Sequence, residues 1–320
     1  MILLTGAAGF IGSCFLTELI KEGEEVIMVD DFQIEKKWKN FKEKAFYQQV
    51  ERNDLFGYLE REKPPISCVL HLGARTDTTE FDNAIFEELN LDYSKKIWHY
   101  CTTQQIPLIY ASSAATYGGG AWGFEDNHKI VPALKPLNPY GRSKNDFDKW
   151  VLDQDKTPPY WVGLKFFNVY GPNEYHKGRM ASIVWHAYHQ IQKTGKVKLF
   201  RSHKEDCADG EQRRDFIYVK DVVQTGLFLM RHNQTSGLYN IGTGKATSYN
   251  ELVTSIFDAL TLPTNIEYID IPQDIRNTYQ YFTEANIQKL RSVQYKIAFY
   301  PIQDGVKDYV SHFLINQKYY

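Results

Sequence analysis

With 320 residues, the chain is long enough to enclose at least one full hydrophobic core and to divide into two lobes. Its 43% apolar and 24% charged residues describe an ordinary globular protein, and a net charge of -2 gives no footing for nucleic acid or an anionic membrane surface, so any anion must be bound locally. No apolar run nears the ~20 residues that span a bilayer. The four scattered cysteines, Cys14, Cys68, Cys101 and Cys207, form no Cys-x-x-Cys pair. They suggest neither a zinc site nor a disulfide framework, and point to a reducing cytoplasm.

In chain order, residues 2–5 read as a short buried strand, 10–22 as a helix and 26–30 as a second strand, which together make one βαβ unit. The opening residues run straight into that first strand, so no cleaved leader is expected. Further strands are predicted at 46–50, 68–72, 108–112 and 161–167, with helices at 81–105 and 140–155. This alternation predicts a doubly wound α/β fold, a parallel sheet covered by helices on both faces. Past Asn168 the alternation weakens into a helix at 181–194, a short strand at 198–200, a polar loop at 202–213, a helix from Lys220 and a last helix at 304–315. The apolar run 215–219 is expected to return to the first lobe. The expected division is a Rossmann domain of 1–168 plus about 215–240, and a smaller α/β substrate domain of 169–214 plus about 241–320.

The first strand feeds directly into Gly6-Ala7-Ala8-Gly9-Phe10-Ile11-Gly12 at the start of a helix. Glycines there allow a tight turn and close approach of backbone to a pyrophosphate, whose charge is stabilised by free N–H groups and the positive helix end. About 20 residues on, Asp30 and Asp31 close the second strand, where a carboxylate binds an adenosine ribose. The cations Lys36, Lys37 and Arg52 follow, and these favour a 2′-phosphate. The two signals oppose each other; the cationic run favours NADP, with NAD as the alternative.

Tyr140-Gly141-Arg142-Ser143-Lys144 opens a helix, and residues four apart share a helical face, so the phenol and the ammonium meet one reaction centre. A nearby cation stabilises phenolate and draws a tyrosine that normally titrates near 10 towards working pH, making Tyr140 a general base. Ser113 lies in 110–118, at the carboxyl end of a strand, where an open α/β sheet forms its ligand crevice.

Together these motifs and Phe167-Asn168-Val169-Tyr170-Gly171-Pro172 resemble the extended short-chain dehydrogenase/reductases over nearly the whole chain. The resemblance implies that Lys144 also binds the nicotinamide ribose, that Asn90 and Val169 lie by the cofactor and that Leu72-Gly73-Ala74 packs along it. An acidic pair follows the serine position in the dehydratases of that family, whereas Ala114-Ala115 stand here.

Two longer runs, 111–119 and 168–182, resemble the ADP-heptose 6-epimerases within the family, as do His71-x-Gly73-Ala74 and Thr78-Thr79-Glu80. That resemblance implies oxidation at C6 of an ADP-heptose and return of hydride to the other face, in lipopolysaccharide core precursor synthesis, by a homo-oligomer that is pentameric. Because two epimers present the hydroxyl in opposite directions, a second acid/base is needed; by resemblance it is Lys177. Asn168, Arg179, His186, Phe200, Arg214 and Tyr279 are implied at the substrate, with Arg214 either on a pyrophosphate oxygen or paired with Asp215. Arg179 replaces a small residue and the 202–213 loop is lengthened, which leaves the exact sugar open. The alternatives are a 4-epimerase or related enzyme for another nucleotide sugar, and a non-catalytic NAD(P)-sensing protein.

Overall fold

The computed structural model describes residues 1–232, 235–276 and 279–320. Six short strands run through the first part of the chain: β1 (Ile2–Thr5), β2 (Val26–Asp30), β3 (Gln48–Glu51), β4 (Cys68–His71), β5 (Leu108–Ser113) and β6 (Trp161–Phe166). After them come β7 (Asn168–Tyr170), β8 (Val197–Phe200), β9 (Arg213–Arg214), β10 (Phe216–Tyr218), β11 (Gly237–Ile241), β12 (Thr247–Ser248) and β13 (Ile266–Ile269).

Seven of these strands form one sheet in the order β11-β6-β5-β4-β1-β2-β3, parallel throughout. Residues of β1, β2, β4 and β6 are buried along their whole length. That is why they read as continuous apolar runs instead of alternating ones: helices cover both faces of a parallel sheet. The chain leaves β1 towards β2 and β3, then crosses back to place β4 on the other side of β1. A crevice opens at such a reversal, beyond the carboxyl ends of the strands.

The predicted 81–105 helix is present as Asn83–Phe86 and Tyr93–Gln104, joined by a wider π-helical stretch, Glu87–Asp92. The run at 215–219 contains a short strand. Phe216–Tyr218 does not enter the main sheet; it pairs in parallel with β7, which continues directly from β6, because β11 already occupies the edge of β6. Beyond the main sheet lie the pairs β8–β13 and β9–β12 and the helices Ile183–Thr194 and Tyr249–Ala259. One hydrophobic cluster runs from Ile2 and Leu4 through Val184 and Leu252 to Leu314, so its apolar packing spans both parts of the chain. Among the described residues no helix is long and apolar enough to cross a membrane.

Candidate active site

Five of the seven strands of the main sheet carry, at or just past their carboxyl ends, a residue singled out above. Gly6 follows β1, Asp30 closes β2, Leu72 follows β4, Ser113 closes β5 and Asn168 follows β6. The first and third meet: a Cβ on Gly6 would lie 2.6 Å from the Gly73 backbone nitrogen, and Gly6 holds a positive φ of 70°. On Gly12 a Cβ would sit 2.0 Å from the Gly6 carbonyl oxygen. Only hydrogen fits at either position, and that close approach leaves an opening into which a ligand's phosphates can reach the backbone.

The helix Phe10–Lys21 starts at this turn with Gly9 as its N-cap, without a side-chain cap and with no acid in its first turn. Its leading N–H groups and positive dipole end therefore face the opening. The turn is braced from behind. Asp30 Oδ2 accepts from the Ala8 N–H at 2.9 Å, while the buried Asn40 amide donates to the Ala8 carbonyl at 2.9 Å and to the Asn173 carbonyl at 3.2 Å.

An open cleft lies over the turn. Gly6, Gly9, Phe10, Ile11, Gly12, Asp30, Lys37, Arg52, Leu72, Gly73, Ala74 and Lys177 line it, together with Arg75, Leu89, Tyr93 and His176. Lys37 reaches Asp30 Oδ1 at 2.7 Å, and Arg52 lies 3.8 Å from Asp31, whose carboxylate is outside the lining. Asn90 is buried beside the cleft with both ends of its amide engaged. It accepts from the Arg75 N–H at 2.7 Å and donates to the Arg75 carbonyl and to Ser143 Oγ, each at 2.9 Å. It thus holds the loop after β4 against the helix Pro139–Leu152.

That helix begins with Asn138, whose side chain accepts from the Gly141 N–H, and with Pro139 in the first turn, a strong start signal. It presents Tyr140 and Lys144 towards β5. The half-buried Tyr140 phenol is hydrogen-bonded to the Ser113 side chain, and Ser113 Oγ also accepts from the Ala115 N–H at 3.1 Å. Lys144, 4% exposed, donates to the Ala111 carbonyl at 2.9 Å. Burial brings its pKa down to about 8, opposed by Asp148. The expected lowering of Tyr140 is reversed here: burial pushes the phenol up, the Ser113 hydrogen bond opposes this, and Asp148 adds to the rise. Lys144 is bound to a carbonyl and exerts no resolved pull on the phenol.

Lys177 enters from the turn Tyr175–Met180, its ammonium 5.4 Å from the Phe10 ring centre. Burial lowers its pKa, and the buried Glu174 opposes that. Glu174 itself accepts from Ser182 Oγ at 2.7 Å and from the Gly171 N–H at 3.3 Å. The same turn faces a second cavity: the Arg179 carbonyl lies 3.3 Å from His186 Nε2, and His186 lines that cavity with Phe200, Tyr249 and Tyr279. The Arg179 side chain is two-thirds exposed, pairs with Asp77 at 3.2 Å and lines neither cavity. Asn168 is exposed and Val169 half-buried on β7, outside both linings.

Arg214 is buried with its guanidinium 5.5 Å over the Tyr279 ring, next to the second cavity. It donates to the Arg213 and Gln280 carbonyls. Among the described residues it has no carboxylate partner, so the pairing with Asp215 is not formed. Asp215 instead accepts from the Thr243, Gly244 and Ala285 N–H groups at 2.8–3.0 Å. Sequence reasoning missed Asn40, Asp148, Lys165 and Glu174. A lysine inside the otherwise apolar 161–167 run was the available signal, since a buried charge demands a partner.

The profile of the NAD dependent epimerase/dehydratase family matches residues 2–242. An ADP-L-glycero-D-manno-heptose-6-epimerase of Fusobacterium nucleatum is 44% identical over all of both chains. A solved ADP-L-glycero-D-manno-heptose-6-epimerase of Helicobacter pylori superposes with a TM-score of 0.81 at 30% identity, covering 97% of this chain and 95% of that one. A UDP-N-acetylglucosamine 4-epimerase of Methanobrevibacter ruminantium shares the fold at a TM-score of 0.81 and 23% identity. With its glycine turn, its Ser113–Tyr140–Lys144 group and these full-length relatives, the chain belongs to the NAD dependent epimerase/dehydratase family, on the branch of the ADP-L-glycero-D-manno-heptose-6-epimerases.

Proposed function

We propose that the protein interconverts ADP-D-glycero-D-manno-heptose and ADP-L-glycero-D-manno-heptose by transient oxidation at C6. The observation that carries this reading is Lys177, drawn by its turn into the glycine-lined cleft with a lowered pKa, on an element separate from the helix of Tyr140. A simple dehydrogenase needs one acid/base at the reacting hydroxyl; inversion needs a second. Tyr140 takes the hydroxyl proton of one epimer while C6 loses hydride. Lys177 then gives a proton to the ketone oxygen as hydride returns to the opposite face. The oxidation and the reduction would cancel through one bound nicotinamide, and the proton gained by Tyr140 and the one given up by Lys177 are exchanged with solvent before the next turnover.

A bound nicotinamide dinucleotide supplies the hydride acceptor and donor. In this reading Gly6, Gly9, Phe10, Ile11 and Gly12 hold its pyrophosphate, Leu72, Gly73 and Ala74 pack along it, Lys144 holds the nicotinamide ribose, and Asn90 and Val169 support that end. We take the cofactor as NADP. Lys37 already neutralises Asp30, and Arg52 lines the cleft with it, so cations rather than a free carboxylate face the adenosine ribose. The ADP of the substrate occupies the second cavity against His186, Phe200 and Tyr279, with Arg214, which has no acidic partner among the described residues, for a phosphate oxygen. Asn168 and Arg179 flank it. We further take the chain as a cytoplasmic homo-oligomer, pentameric by family resemblance; the free, buried thiols of Cys14, Cys68 and Cys101 support a reducing compartment.

The test is incubation of the purified, cofactor-loaded protein with ADP-D-glycero-D-manno-heptose in D₂O, followed by NMR. Formation of the L-glycero epimer with no deuterium at C6 is expected, because the hydride is retained. Absence of conversion, or deuterium at C6, overturns the reading.

A further inference from the structure

Beneath Ser113, Tyr140 and Lys144 lies a charge pair that the proton transfers do not touch. Tyr140, Lys144 and Asp148 follow at intervals of four on one helix, so they share a face over two turns. Asp148 and Lys165 meet at 2.7 Å with both side chains fully buried. The aspartate also accepts from Tyr110 OH at 3.0 Å and Ser112 Oγ at 2.7 Å, and Lys165 donates to Thr116 Oγ1 at 2.8 Å. Tyr110 and Ser112 sit on β5, the strand that ends in Ser113, and Thr116 is in the turn just after it. The network therefore fastens the helix of Tyr140 to the strand of Ser113 and to β6.

As a device for stability such a pair is poor, because desolvation offsets its attraction and apolar side chains would pack as well. Its placement supplies what an apolar contact would not, a fixed negative charge below the reacting phenol. We propose that Asp148, paired with Lys165 and bound by two hydroxyls, is a positioning residue of the reaction that keeps the helix of Lys144 and Tyr140 against the strand of Ala111 and Ser113, and so holds Ser113, Tyr140 and Lys144 in one array. This rests on Tyr140 being a proton carrier, as proposed above.

The electrostatics agree with that geometry. Asp148 is the group that opposes the burial of Lys144, and the same charge raises Tyr140. The other ionisable groups facing the array from the surrounding elements are Tyr110, Tyr117, Lys165, Asp126, His71 and His128. None substitutes for the aspartate. His71 is neutral, its pKa brought to about 3 by burial and Lys144, and burial with Lys289 brings His128 to about 4. Burial raises Asp126, which lies against the Asn240 N–H at 2.9 Å.

The experiment compares the parent enzyme, Lys165→Arg and the double variant Asp148→Asn/Lys165→Met, which removes both charges without leaving one buried alone. Asp148→Asn/Lys165→Gln, which keeps a hydrogen bond across the pair, stands in where the first double variant does not fold. Of the two charges lost, the Asp148 carboxylate is the one that acts on Tyr140 and Lys144, favouring the protonated form of each, so both titrate at lower pH without it. The expected result is KM within threefold of the parent, kcat down at least tenfold and the Tyr140 limb of the pH profile displaced to lower pH, with Lys165→Arg keeping the parent profile. The Tyr140 titration is read without substrate by NMR of ¹³Cζ-labelled tyrosine, its resonance identified by its absence in Tyr140→Phe. A lowered kcat with an unmoved profile and an unmoved Tyr140 resonance, or a kcat within twofold of the parent, overturns the proposal. A parent enzyme that converts no ADP-heptose counts against the proposed function alone, because the tyrosine titration still decides the role of Asp148.

Discussion

At the scale of single residues, the site assigns two different proton carriers to two different supports. Tyr140 rests on Ser113 and a helix, Lys177 on a short turn over Glu174. Tyr140→Phe and Lys177→Met should each lower kcat by about 10²–10⁴-fold, the usual worth of a positioned acid/base. The phenol variant should still bind ADP normally, measured by titration calorimetry, since neither group lies in the second cavity. The ribose end gives a separate prediction. Loss of one charge-assisted hydrogen bond costs roughly 1.5–3 kcal/mol, so Lys37→Ala or Arg52→Ala should weaken NADP by about 10–100-fold. NAD binding should change far less, and fluorescence titration with each dinucleotide would expose an equal loss for both.

At the scale of elements, the turn from β1 into its helix has the least tolerance. Gly12→Ala would press a methyl group to 2.0 Å from the Gly6 carbonyl oxygen, backbone that the Gly73 contact prevents from moving away. The variant should lose cofactor binding and lower the thermal midpoint by several degrees; an unchanged cofactor content in the purified protein would contradict this. This element was legible in the sequence because every signal for it is local: strand, glycine spacing and helix start lie within 20 residues. Ser113, Tyr140 and Lys144 were legible for the same reason. Asp148 was not, because an aspartate on an amphipathic helix looks like a solvated charge until Lys165 is brought against it from another strand. The pairing of β11 with β6 and of β10 with β7 was hidden likewise, since partner choice in a parallel sheet joins distant segments. Periodicity shows that a strand exists, not where it goes.

At the scale of the whole molecule, Asn240 shows how the late chain is tied to the early sheet. Fully buried on β11, it accepts from Tyr117 OH at 2.6 Å and donates to the Phe124 and Asn286 carbonyls at 2.8 and 3.0 Å. Asn240→Leu would leave the Tyr117 hydroxyl and the Asn286 carbonyl without the partner Asn240 gives them, while the Phe124 carbonyl keeps the Asn286 N–H at 3.1 Å. A loss on the order of 2–4 kcal/mol is expected, readable as a lower urea midpoint with an unchanged slope. A variant as stable as the parent would show that the asparagine is dispensable.

The turn Tyr175–Met180 lines the cleft with His176 and Lys177 and meets the second cavity through His186, against which the Arg179 carbonyl lies. Asn40 further links His176 Nδ1, at 3.3 Å, to the carbonyl of Ala8 in the glycine turn. Six residues therefore hear from two ligands at once, and what one ligand does to the turn the other must feel. Such coupling is reciprocal by thermodynamic necessity. ADP should bind the dinucleotide-loaded protein about 5- to 100-fold differently from the empty one, and calorimetry run in the opposite order should return the same factor. Equal affinities in both states would mean that the turn is a rigid wall between two independent rooms. Unequal ones would make it the place where the enzyme learns that both halves of its reaction are present.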